Sequence, residues 1–282
     1  MTFGDDAVDR LCRRLGSRRA LLAGAAALGL APAARPAAAQ AKKQPKPCTI
    51  TTSQELDDAL ANAKSGDTLR LCAGTFTGHF HVAKRVNLVG DPGGTILDSD
   101  GTDRALTLDT GGGSVVSNLT IRGKSAGIGN GGCVYTAVPV TFRNCLLTGG
   151  NAQNGGGLFI DSEGAATLEG TVVNKGVAGN EGGGVYNGGT LVVRSGSVIG
   201  GSAADGNVSQ LGGGLSNYGT AKFAKGTLVT GNRTFDSITL PGGGIYQGGD
   251  GKVRLATKKI VTGNTPDNCV GQPGQPIKNC VG

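Results

Sequence analysis

The sequence predicts an all-β chain wound into a coil of parallel strands, a right-handed parallel β-helix closed at its start by an amphipathic helix. Two periodic columns carry this reading. A glycine triplet followed by an aliphatic residue recurs at Gly155–Leu158, Gly182–Val185, Gly212–Leu215 and Gly242–Ile245, with a degenerate copy at Gly131-Gly132-Cys133-Val134. Its aliphatic position advances by 24, 27, 30 and 30 residues, the interval of stacked structural repeats. Ile121, Leu147, Val173, Ile199, Val229 and Val261 form a second column, spaced 26, 26, 26, 30 and 32 residues apart. Two inward columns per period, separated by glycine-rich turns, describe a coil whose rungs lie ~4.8 Å apart; about seven rungs make a rod roughly 35 Å long. Parallel crossovers of this kind are right-handed.

The chain begins with a targeting pattern. Arg10, Arg13, Arg14, Arg18 and Arg19 precede an Ala/Leu/Gly run from Ala20 to Leu30, and small residues follow to Ala41. Ser17-Arg18-Arg19-Ala20-Leu21-Leu22 resembles a twin-arginine export signal. Residues 1–41 are therefore expected to be an export signal and 42–47 a Lys/Pro linker, leaving 48–282 as one domain outside the cytoplasm. No later apolar run approaches the ~20 residues of a membrane helix.

Charge agrees with this division. Of the formal +7 over 282 residues, little belongs to the domain: from Cys48 onward 18 basic residues stand against 17 acidic ones. That balance removes the main support for nucleic-acid binding. Glycine numbers 53 but follows no Gly-X-Y period, which excludes collagen.

Within the domain, Cys48 to Cys72 reads as an N-terminal cap. Thr52 and Glu55 have capping-box spacing, and Leu56, Ala59, Leu60 and Ala63 recur at helical spacing until Gly66. Such a helix would cover the open end of the core. Six cysteines remain after the signal, an even number that favours disulfides in an exported chain. They sit in three local couples, so Cys48–Cys72, Cys133–Cys145 and Cys269–Cys280 are the expected pairs, the last making residues 269–282 a C-terminal cap. Asn187, Asn217 and Gln247 recur on the inward side and predict an internal amide ladder.

The opening from Cys48, the helix at Leu56 to Ala63, Gly66-Asp67-Thr68 and Gly74-Thr75-Phe76 look like the N-terminal cap of exported β-helix proteins of the pectin-lyase-like superfamily. The Gly-Gly-Gly-aliphatic-x-Asn rungs and Thr262-Gly263-Asn264-Thr265-Pro266-Asp267-Asn268-Cys269 are similar to bacterial surface β-helix repeats. The resemblance implies a fold more than a function, because lyases, hydrolases, esterases and inert solenoids share it. Its hydrolases carry an Asp-Asp pair, a Gly-His-Gly and an Arg-x-Lys on successive rungs, and this sequence has none of them: Asp57-Asp58 falls in the cap helix and His79 stands in Gly78-His79-Phe80.

Two sites remain. A lyase would need acidic calcium ligands beside a basic residue, and the nearest set is Asp98, Asp100, Asp103 and Arg104. Only in that case is a cofactor, calcium, expected; no metal site is otherwise read. The second is a row of rings. Tyr135, Phe159, Tyr186 and Tyr246 hold the same outward position on successive rungs, interrupted by Ser216, and would offer flat faces to sugars. Glu169 shares a column with Arg143 and Lys225, read as a surface charge ladder. The leading expectation is an exported, non-catalytic β-helix contacting polysaccharide or envelope glycan along the aromatic row. The alternative is a polysaccharide lyase or glycoside hydrolase working through residues 98–104.

Overall fold

The computed structural model describes residues 46–124, 129–235, 242–271 and 275–281. The expected signal at 1–41 and the linker up to residue 45 lie outside them. Residues from Lys46 onward form one compact unit. Among the described residues no helix is long and apolar enough to cross a membrane.

The unit is a parallel β-solenoid. Three of its faces are sheets eight strands deep, and every pairing is between successive turns of the coil. The first face runs from Thr68–Leu71 to Lys252–Leu255, the second from Gly74–Thr77 to Val261–Thr262, the third from Phe80–His81 to Cys269–Val270. A fourth sheet of four strands, from Asn151–Asn154 to Arg233–Thr234, fills the corner between second and third faces where the repeats lengthen.

Both sequence columns lie in register. Ile121, Leu147, Val173, Ile199, Val229 and Val261 stack up the second face. Val134, Leu158, Val185, Leu215 and Ile245 stack up the third. Nearly all are fully buried, because alternation along a strand sends one side chain in and the next out. The coil holds a third inward column that the two-column expectation lacked: Leu88, Val116, Phe142, Leu168, Val193, Phe223 and Leu255 line the first face.

Each end is covered. The helix α1 (Ser53–Asn62) starts at a complete capping box between Thr52 and Glu55 and lays Leu56 on the core. Ser53 accepts a hydrogen bond from the Thr77 amide, satisfying a donor at the open edge of the second face. At the other end Ile277 enters the core, and Asn279 donates to the Leu255 carbonyl of the last first-face strand.

Cys48–Cys72 and Cys269–Cys280 are disulfides, each tying a cap to the coil, whereas Cys133 and Cys145 are free and buried. The expected third pair fails on the geometry of the coil. Twelve residues is about half of a 26-residue turn, so the two thiols occupy different corners. Cys145 sits between first and second faces, donating to the Val116 and Arg143 carbonyls. There it takes the place that Thr171 fills one rung on, with the same two kinds of carbonyl partner. Cys133 stands at the entry to the third face and donates to Thr148. Burial pushes the Cys133 thiol up to about 12 and the Cys145 thiol up to about 11. The chain beginning at Lys46 should therefore release no colour with a thiol reagent at pH 8 until denatured, and then titrate two thiols. Reaction in the native state would contradict the burial.

The amide ladder exists but is placed differently. Asn187 donates to Asn217 at 2.6 Å, yet Gln247 turns away to accept from Val253 N. A longer ladder, Asn207–Asn232–Asn264, runs inside the corner beside the second face.

Candidate functional site on the third face

Outward positions on the third face form one register column: His81, Thr107, Tyr135, Phe159, Tyr186, Ser216, Tyr246 and Val270. The rings of Tyr135 and Phe159 stack with centroids 5.5 Å apart, and those of Phe159 and Tyr186 at 4.7 Å, nearly parallel in both cases. Where Ser216 interrupts the row, Tyr218 from the following turn fills the gap, 5.6 Å from Tyr186 and 6.4 Å from Tyr246. The row is thus a continuous ladder of five rings. The column of rungs missed Tyr218 because it stands two residues beyond Ser216, past the end of the strand Leu215–Asn217.

This packing decides what the ladder can offer. Phe159 is only 8% exposed, and its two faces are taken by Tyr135 and Tyr186. Above Tyr135 lies the Arg104 guanidinium, 5.1 Å from the ring centroid, a cation–π contact. Open ring faces, which stacking on a sugar requires, are therefore lacking at Tyr135, Phe159 and Tyr186. The ladder presents edges and hydroxyls.

Two carboxylates fix those hydroxyls. Asp161 accepts from Tyr135, and Glu181 accepts from Tyr218 at 2.8 Å and from Ser216 at 2.8 Å. Burial, reinforced by the bond to Asp161, pushes the Tyr135 phenol up to about 12. Burial and Glu181 raise Tyr218 and Tyr186 as well. Each phenol stays protonated at neutral pH, so these tyrosines are hydrogen-bonding groups rather than bases.

At the N-terminal end the column meets a polar cluster. His79 lies with Nδ1 3.5 Å from Asp103 Oδ2 and Nε2 3.2 Å from Thr107 Oγ1. His81 Nε2 is 2.7 Å from Asp109 Oδ1. Asp103 also pairs with Arg104 at 3.1 Å, which holds the guanidinium over Tyr135. Beside the two imidazoles, a groove of about 280 Å³ separates the third face from α1, with Asp57 and Lys84 on its wall. Burial, together with the neighbouring Asp58, holds Asp57 above the ordinary carboxylate range. Lys84 is committed to the Ala61 and Ala63 carbonyls at the end of α1, where no glycine caps the helix.

The sequence candidates at 98–104 do not come together. Asp98 is buried on the second face, where Arg122 grips both its oxygens at 2.9 and 3.1 Å and Lys124 adds a contact at 3.2 Å. Burial alone would raise its pKa, but those two cations outweigh it and hold the carboxyl low. Asp100 accepts from the amide and hydroxyl of Thr102 and shapes a turn. Only Asp103 and Arg104 reach the third face. Among the described residues no three His, Cys, Asp or Glu side chains converge as metal ligands. His79 and His81 are the residues that sequence reading undervalued. Their spacing of two on a strand puts both on the outer side, a signal available from alternation alone.

The expected charge ladder is present with one exchange. Glu169 lies between Arg143 at 2.8 Å and Arg194 at 3.0 Å, so Arg194 rather than Lys225 is its third member.

No family model matches the chain, and no curated protein does. Among solved structures it is similar to an alginate lyase from Paenibacillus sp. str. FPU-7, with 16% identity and a TM-score of 0.37 over 79% of this chain and 97% of that one. A likeness that shallow transfers no residue role, and the third face is read on its own geometry.

Proposed function

We propose that the chain is an exported glycan-binding solenoid whose third face takes an oligosaccharide along the rod axis. The observation that carries this is the outward register column from His81 through Thr107 to Tyr135, with Asp103, Arg104, Asp109 and Asp161 beside it. It sets planar donors and acceptors at a rung repeat of ~4.8 Å, close to the advance of one extended sugar residue. Binding then rests on hydrogen bonds to ring edges and side chains, not on ring stacking. Two disulfides support a place outside the reducing cytoplasm.

One observation favours a second reading, hydrolysis. Thr107 Oγ1, the His79 ring and Asp103 stand in the order hydroxyl, imidazole, carboxylate, the arrangement that activates an alcohol. The experiment separates the two. Neutral and acidic oligosaccharides are offered to the protein, and both retention and new chain ends are scored. Binding predicts retention without new ends, weakened about tenfold or more in Arg104→Ala, since a charged hydrogen bond contributes ~1.5–3 kcal/mol. New ends that vanish in His79→Gln would replace the binding reading with the hydrolytic one. No retention in any case would sink both.

A further inference from the structure

The second face carries a feature that glycan binding does not use. Its inward column is Ile121 to Val261, so the alternate residues face out, and all but Thr120 are apolar. Ile96, Thr120, Leu146, Val172, Val198 and Leu228 follow one another in register over six rungs, about 24 Å of rod. Most are half-buried, and Leu228 is 41% exposed. An outward sheet position is ordinarily polar, and a single exposed aliphatic needs no explanation, but an in-register stripe of this length does.

The stripe ends among unpaired cations. Lys225, Lys258 and Lys259 ring a groove of about 580 Å³ with Leu228 on its floor. Around the corner Lys222 and Arg254 stand outward on the first face as register neighbours. No carboxylate among the described residues pairs with any of these five. Five cations elsewhere on the solenoid are paired: Arg122 and Lys124 on Asp98, Arg143 and Arg194 on Glu169, Lys175 on Asp205. From Gly188 onward nine basic residues face four acidic ones, so the basic excess is concentrated at this end. Five like charges crowded at one corner repel one another unless an anion lies against them.

We infer that the second face docks on an anionic phospholipid surface, with the aliphatic stripe against the headgroup–acyl boundary and the lysines on its phosphates. The apolar stripe decides the occupant. A soluble acidic polymer would use the cations but gain nothing from Leu146, Val172, Val198 and Leu228, and the cationic corner spans only two rungs. A leaflet uses both, and stable attachment to it takes two signals of these kinds. Lysine ammonium groups are point charges suited to phosphate.

The test is co-sedimentation of the compact unit beginning at Lys46, free of the arginine-rich N-terminus, with phosphatidylcholine vesicles with and without phosphatidylglycerol. Binding is expected only to the anionic vesicles and is expected to fall with added salt. Each lysine contributes about fivefold, so the combined Lys225→Glu, Lys258→Glu and Lys259→Glu variant should lose about a hundredfold or more. Leu228→Ser should lose several-fold at unchanged charge. All these side chains are exposed, and thermal midpoints equal to the parent's would show the variants folded. Arg104→Ala should bind vesicles like the parent, which separates this surface from the glycan reading. Equal binding to neutral vesicles, undiminished binding by the folded lysine variant, or displacement from vesicles by a soluble polyuronate at equal charge would overturn the inference.

Discussion

Gly183→Ala should lower the thermal midpoint of the solenoid by roughly 10 °C. The middle glycine of the triplet has no left-handed backbone to protect, so conformational freedom is not the issue there. Space is. A Cβ on Gly183 would stand 2.5 Å from Val208 N, 2.5 Å from Val208 O and 2.6 Å from Gly213 O. All three are backbone atoms of the next rung, two from the strand Val208–Ser209 and one from its glycine triplet. The same squeeze recurs at Gly156, Gly213 and Gly243, each against the backbone of the following rung. Overpacking costs about 1–3 kcal/mol where side chains can shift. With only main chain to move, and that main chain held in ladders, the upper end applies. At ~2–4 °C per kcal/mol for a domain of this size, a cost of about 3 kcal/mol gives the stated shift. Gly66→Ala is the control. Gly66 sits at φ +99° with nothing within 4 Å of its added Cβ, so only backbone strain of ~1–2 kcal/mol is at stake. Equal shifts for the two variants in a thermal melt would remove close approach as the reason for the triplets.

Why some of this architecture was legible and some was not follows from the residues themselves. The second-face and third-face columns repeat one chemical type, an aliphatic, at nearly constant spacing, and the glycines phase them. The first-face column mixes Leu, Val and Phe from rung to rung, so its period is hidden although its burial is as complete. The third glycine of the triplet was legible, its cause less so. At Gly184, Gly214 and Gly244 a Cβ would strike the amides of Asn207, Asn232 and Asn264 respectively. At the degenerate copy no asparagine is stacked there, and the Cys133 side chain takes the space. The candidate site read poorly because its members come from four separate strands and turns. Asp98 and Asp103 are five residues apart, yet one faces the second sheet's cations and the other the third face. Proximity in sequence said nothing about that division.

The buried amides set up the other large effect, Asn232→Leu, for which a loss of about 4 kcal/mol is expected in denaturant unfolding. Asn232 is 1% exposed. Its Oδ1 accepts from Asn207 N at 3.0 Å and from Asn207 Nδ2 at 2.8 Å. Its Nδ2 donates to the Ile199 carbonyl at 3.0 Å and to Asn264 Oδ1 at 2.9 Å. Leucine has similar volume, so little cavity opens, but two Asn207 donors and the Ile199 carbonyl lose their partner in a place water does not reach. An unsatisfied buried group costs about 1–3 kcal/mol, and three of them reach the upper tail of single substitutions. Asn207→Leu taken alone orphans a different set: Gly176 N, which donates to Asn207 Oδ1, and the Val173 carbonyl, which accepts from Nδ2. In the double variant the Asn207 side-chain donor orphaned by the first change no longer exists. The combined loss should therefore fall short of the sum of the single losses by about 1 kcal/mol or more. Strict additivity would mean that the amides act separately, each satisfying its own turn. The shortfall would identify them as one hydrogen-bonded column, in which Gly184, Gly214 and Gly244 are each fixed by the asparagine stacked beside them.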